Sequence, residues 1–170
     1  MIWFDRLLKW VEPEDNPRST VYGTVAAGLV IAAEDPLINT YPRLVAATAV
    51  AVASYWVAHG YAHWVAQRFQ ADAGSGAGWW PRALVDALAH EWPLGEGAAV
   101  PLATLLVAWA VGAPLTAATT AALSAAAGAL VVFEVAGTLR RRLPLLQLAA
   151  NAFIGLLLAS ALFAIKNLLH

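Results

Sequence analysis

Residues 144–169 read PLLQLAANAFIGLLLASALFAIKNLL, an apolar run with one charged side chain, Lys166. A helix crossing hydrocarbon needs about 20 mostly apolar residues, and this run supplies them. Upstream, across Arg140, Arg141 and Arg142, residues 114–139 read PLTAATTAALSAAAGALVVFEVAGTL, again with one charge, Glu134. Proline opens both runs, at Pro144 and Pro114, where its missing N–H does no harm to a first helical turn.

Three more runs of this kind lie further upstream. One covers about residues 92–111 and carries Pro101 inside it; one covers about 44–67, after Pro42; and one covers about 19–33, ended by Asp35-Pro36. The first of the five in chain order is short, with Ser19 or Thr20 placed to cap it behind Pro17. The expected fold is therefore all-α: a polytopic bundle of about five transmembrane helices over residues 18–170. Residues 1–17 form a preceding interfacial segment in which Trp3, Trp10, Arg6 and Lys9 suit the headgroup region. Residues 71–78 are Gly-rich and polar and read as a loop, and residues 79–90 read as an amphipathic surface helix.

Composition agrees. The chain is 61% hydrophobic and 12% charged with a mean hydropathy of +0.64, against about 25% charged in a soluble domain. So short a chain has too little interior to hide that much apolar surface from water. A net charge of -1 offers no basic face for nucleic acid, and the absence of cysteine excludes disulfides and thiolate chemistry.

Basic residues set the expected orientation. With the N-terminus inside, Arg6, Lys9, Arg18, Arg68, Arg82, Arg140, Arg141 and Arg142 all fall on the cytoplasmic side, and Arg43 and Lys166 fall outside. That bias predicts an N-in, C-out topology. The short link at Gly112-Ala113-Pro114 predicts antiparallel neighbours on either side of it. In residues 114–139, Ala117, Ala121, Ala125 and Ala129 make one small-residue ridge, and Thr120, Ser124 and Gly128 make another. Small residues admit close helix approach, so this helix is expected to be central or to form an oligomer contact.

Polar groups within spans are costly, about 2.5–3.5 kcal/mol for a central charge on insertion scales, and they mark where to look for function. Trp56, His59, His63 and Gln67 fall within about an 80° arc of one helix. Glu91 and Glu96, with His90 beside them, lie near the inner boundary of the third span. Glu134, Gln147 and Asn151 lie at a similar depth on the last two. Converging, these groups predict a polar cavity open to the cytoplasm. At the outer end Glu34 and Asp35 stand at the depth of Lys166, where Glu34 and Lys166 can pair. Between these layers the spans are almost wholly apolar.

Two polar vestibules around a dry constriction suit a small channel or transporter for an ion, proton or solute. Residues near a boundary also pair or snorkel merely to finish a helix, and Glu34, Asp35, Glu91 and Glu96 fit that blander account. A non-transporting subunit or scaffold is the alternative. A third reading is a metal or haem protein in which His59 and His63, one turn apart, share a metal with oxygens from Glu91 or Glu134. Bis-histidine haem would instead need His90 opposite one of them. No nucleophile–base–orienter set is present, and residues 74–78 lack the Lys of a phosphate loop, so the chain is not expected to be an enzyme.

Three segments carry a likeness: Val21-Tyr22-Gly23, the run from Tyr55 to Ala62 with its Trp-x-Ala-His-x-Tyr-Ala core, and His90-Glu91-Trp92-Pro93. In these the chain resembles a group of uncharacterised small integral membrane proteins of actinobacteria. The resemblance implies a multi-pass protein of a bacterial plasma membrane and implies no activity. It directs attention to Glu34, Trp56, His59, Tyr61, Glu91 and Lys166, and leaves His63 outside the shared pattern. The lipid bilayer and further copies of the chain are the expected partners, with no cofactor beyond the metal or haem alternative.

Overall fold

The computed structural model describes residues 17–70, 80–140 and 144–169. The expected interfacial segment and the Gly-rich loop lie outside these, except for Pro17. Six helices are described: α1 (Pro17–Ala33), α2 (Tyr41–Gln70), α3 (Trp80–His90), α4 (Pro93–Ala110), α5 (Leu115–Arg140) and α6 (Leu145–Leu169), with no strand among the described residues. Four contain segments long and apolar enough to cross a membrane: Tyr41–Phe69, Pro93–Ala110, Leu115–Phe133 and Ala152–Leu169. At 17 residues α1 is shorter than any of these, about 25 Å at 1.5 Å per residue. The expected surface helix appears as α3, packed on α2 with Ala87 buried and Arg82 and Asp86 exposed.

The shortest of the five long helices is the one most enclosed. α1 touches α2, α4, α5 and α6, and its buried face runs through Ser19, Thr20, Gly23, Thr24, Ala27, Gly28, Ile31 and Ala32. Its principal neighbour is α4. A Cβ on Gly23 would fall 1.8 Å from the carbonyl oxygen of Leu94, and a Cβ on Gly97 would fall 1.9 Å from that of Thr20. The two backbones therefore touch directly, each helix offering a glycine to the other's carbonyl.

Pro101 explains the polar part of this crossing. Inside α4 a proline has no N–H, so the carbonyl of Gly97, four residues earlier, loses its helical donor. The Thr24 hydroxyl stands 2.9 Å from that oxygen and 3.0 Å from its own Thr20 carbonyl. A neighbouring helix thus repairs the gap, as buried proline in an apolar medium requires. Five further hydroxyls serve their own helices: Thr48, Thr104, Thr120, Ser124 and Ser160 donate to the carbonyls of Leu44, Val100, Thr116, Thr120 and Leu156, one turn back.

The face by which the fourth span packs differs from the expected small-residue ridges. α5 packs on α1, α4 and α6, but through Ala118, Thr119, Ala122, Leu123, Ala126 and Leu130. Of the two small-residue ridges, Ala117, Ala121, Thr120, Ser124 and Gly128 are exposed. The buried stripe is offset by one residue, because any face of so Ala-rich a helix permits close approach. Ser19 and Thr20 likewise do not cap α1. Both are buried within its first described turns, with helical residues already present from Pro17.

The short connection does what its sequence promises. Gly112 takes φ +70, its N–H reaches the Trp109 carbonyl at 3.0 Å, and the Ala113 N–H reaches that of Ala108 at 3.0 Å. This is a Schellman stop, in which glycine enters the left-handed region without a Cβ clash. Pro114 follows, and α5 returns along α4. The Tyr41 hydroxyl donates to the Ala113 carbonyl at 2.8 Å, and its ring stacks on Trp109, which fixes the start of α2 to the end of α4.

The crossing is testable by single substitutions. Gly23→Ala and Gly97→Ala must push α1 from α4 and should strongly lower the melting temperature in detergent. Gly95→Ala and Gly128→Ala, where a Cβ meets nothing within 4 Å, should leave it near the parent value. Thr24→Val keeps the shape and removes the donor, and should cost about 1–3 kcal/mol, with Thr24→Ser restoring most of the loss.

Candidate functional site

The corner between α3 and α4 holds the polar centre. α3 runs into α4 through Glu91 and Trp92, whose N–H groups make tightened turns to the carbonyls of Leu88 and Ala89 at 3.2 and 3.1 Å. Pro93 forces this break, since it has no N–H for the Ala89 carbonyl. The bend turns Glu91 inward, where it is 6% exposed, a burial carboxylates rarely reach without partners.

Three helices supply those partners. The Ser19 hydroxyl of α1 donates to Glu91 Oε2. From α2, His63 Nδ1 lies 3.7 Å from Glu91 Oε1. The amide of Gln67, one turn along α2, is 2.9 Å from His63 Nε2 and so steadies the ring from behind. His90, the last residue of α3, lays its ring 4.6 Å from that of His63, centroid to centroid. One ligand atom each from His63, His90 and Glu91 lie within 4.8 Å of one another.

Trp56 and Gly60 place α2 against this corner. The indole N–H of Trp56 donates to the Leu88 carbonyl at 2.9 Å, and its ring meets Trp92 edge-on at 6.1 Å. A Cβ at Gly60 would come within 2.5 Å of the Leu88 side chain and 3.1 Å of its Cα. Trp56 is thus a brace for the α3–α4 corner.

The remaining expected residues fall elsewhere. His59 is half-buried between the rings of Tyr55 and Tyr22, at 4.4 and 5.4 Å, and is not in the His63–His90–Glu91 group. Tyr61 is exposed and contacts Trp64, over which Arg68 lies at 4.9 Å. Glu96 is exposed in the first turn of α4. Glu134 and Asn151 fall on α5 and α6, and their side chains lie outside the described residues. His90 and Ser19 are the site residues that the sequence reading undervalued. The signal for His90 was its place beside Glu91 in a span-entry segment; Ser19 had none, because its partner is remote in sequence.

At the far end the expected Glu34–Lys166 pair does not form. The Asn39 amide donates to Glu34 within the α1–α2 turn, and the Asp35 carboxylate accepts the Leu37 N–H at 2.8 Å. Lys166 Nζ instead reaches the hydroxyls of Thr120 at 2.8 Å and Thr119 at 3.4 Å. The threonines at the start of α5 are nearer to it than the turn that holds Glu34, so each polar group is served within its own helix pair.

Trp56→Phe keeps an aromatic ring for the edge-on contact with Trp92 and deletes the donor. Because the Leu88 carbonyl keeps the Glu91 N–H, the loss should be about 1 kcal/mol, read as a modest fall in melting temperature. Gly60→Val, which drives a branched side chain into α3, should cost more by the same measurement. No protein-family model, no curated protein and no solved structure matches this chain.

Proposed function

We propose that this chain is a multi-pass bacterial plasma-membrane protein that passes a proton or small cation by way of Glu91. In this reading all five long helices cross the bilayer, α1 among them, with the N-terminus inside and the C-terminus outside. A helix of 17 residues sits at the lower limit for spanning, and its enclosure by four neighbours favours membrane depth over the surface. Arg18, Arg68 and Arg82 are exposed around the same end of the bundle as Glu91, which makes that end the cytoplasmic one by the positive-inside bias.

The observation that carries the proposal is the burial of Glu91 among three helices, facing His63 and held by Ser19. A carboxylate in such a place is expensive, and intramembrane carboxylate–histidine pairs are the usual material of proton and cation paths. His63 is half-buried and links the buried acid to the surface of the bundle. Further copies of the chain complete the assembly, with the exposed Ala117, Ala121, Ser124 and Gly128 face of α5 as the surface for close helix approach.

Proteoliposomes with an internal pH dye and an imposed potassium gradient test this. The parent chain should dissipate a pH or cation gradient, and Glu91→Gln should bring the rate down to the leak of empty vesicles. A parent chain indistinguishable from empty vesicles for every ion tried would sink the transport reading. Recovery of one stoichiometric protein partner from the membrane would then favour a subunit or scaffold.

A further inference from the structure

We infer that His63, His90 and Glu91 form a binding site for one divalent first-row transition metal ion, of which Zn²⁺ is the best fit. The inference does not rest on ion passage; it concerns equilibrium binding at the α2–α3–α4 corner. Two imidazoles and one carboxylate are a ligand set that zinc sites with an open fourth position use. Imidazole donors select zinc, copper, nickel or iron over calcium and magnesium, and with no cysteine in the chain a thiolate-bound soft ion is excluded.

The geometry lies close to what such an ion needs. Zinc–nitrogen bonds of about 2.0–2.1 Å place tetrahedral ligand atoms about 3.3 Å apart. The His63 Nδ1 to Glu91 Oε1 separation is already 3.7 Å, and all three ligand atoms lie within 4.8 Å. His90 is exposed at the end of α3, so rotation of its side chain closes the remainder without moving a helix.

The surroundings act as an outer layer of support. Metal on His63 Nδ1 requires the proton on Nε2, and the Gln67 amide is 2.9 Å from that nitrogen. Turned about, that amide offers its oxygen to the Nε2 proton, and amide oxygen and nitrogen exchange places freely in such assignments. Glu91 coordinates through Oε1 while Ser19 holds Oε2. Each of these contacts orients a ligand in the way that outer-layer partners of metal sites do. His59, held between two tyrosine rings, takes no part.

The test uses the full chain in detergent, stripped with chelator, then titrated with Zn²⁺ by calorimetry and with Co²⁺ by visible absorption. One Zn²⁺ per chain should bind saturably. Co²⁺ should develop the intense visible bands of a tetrahedral or five-coordinate site, and Zn²⁺ should abolish them. His90→Ala and His63→Ala should remove binding, Gln67→Ala should weaken it about 10–100-fold, and His59→Ala should leave it intact. Because His90 is exposed, H90A should melt as the parent does in the absence of metal, which separates loss of a ligand from loss of fold. Absence of saturable Zn²⁺ uptake by the parent, or uptake indifferent to H90A, overturns the inference. Flux is not measured, so a chain that conducts nothing can still bind, and one that conducts can fail to.

Discussion

The bundle depends on two backbones touching. Gly23 and Gly97 each lie under a carbonyl of the opposite helix, and this approach lets the Thr24 hydroxyl reach the oxygen that Pro101 leaves without a donor. Remove either glycine and α1 retreats from α4; the Gly97 carbonyl then sits in an apolar interior with nothing to bond. The same approach brings Ser19 to Glu91. Packing and site are therefore one construction: the helix that must be close for the backbone to be satisfied is the helix that supplies the hydroxyl for the buried acid.

The interior sets small and hydroxylated residues among buried leucines and Ile31, while many other large apolar side chains point outward. Val57, Phe69, Val107, Phe153, Leu156 and Leu157 are all more than half exposed, whereas Ala27, Ala98, Ala118, Ala122, Thr24, Thr48 and Thr119 are buried. In water this arrangement would leave extended apolar patches uncovered. In hydrocarbon it is the favourable one, because lipid gives helices no hydrophobic reason to associate and close packing supplies the attraction instead.

That inversion also explains what could be read from the sequence. Helix positions were legible because each rests on a local run: the reading of 144–169 became Leu145–Leu169 and that of 114–139 became Leu115–Arg140. The stop at Gly112 was legible from three adjacent residues. Helix faces were not. Where lipid and interior are both apolar, periodicity does not say which side of α5 faces inward, and the choice between Ala117 and Ala118 rested on α1, a helix distant in sequence. Site residues divided along the same line. Glu91 and His63 stood out as polar groups in apolar runs, and His90 as a neighbour of Glu91. The pairing of Ser19 with Glu91 and of Lys166 with Thr120 depends on tertiary register that no local pattern records.

The α1–α4 crossing has a consequence for biosynthesis. Thr24 and the Gly97 carbonyl it serves are 73 positions apart, and α1 leaves the ribosome with α2 and α3 still to follow before α4 exists. Until then its glycines and the Thr24 hydroxyl lack their α4 counterparts, and its 17 residues are short for a span. In the proposed five-span topology, insertion is thus a matter of waiting: α1 enters early, provisionally, and becomes fixed only when a segment made much later arrives beside it.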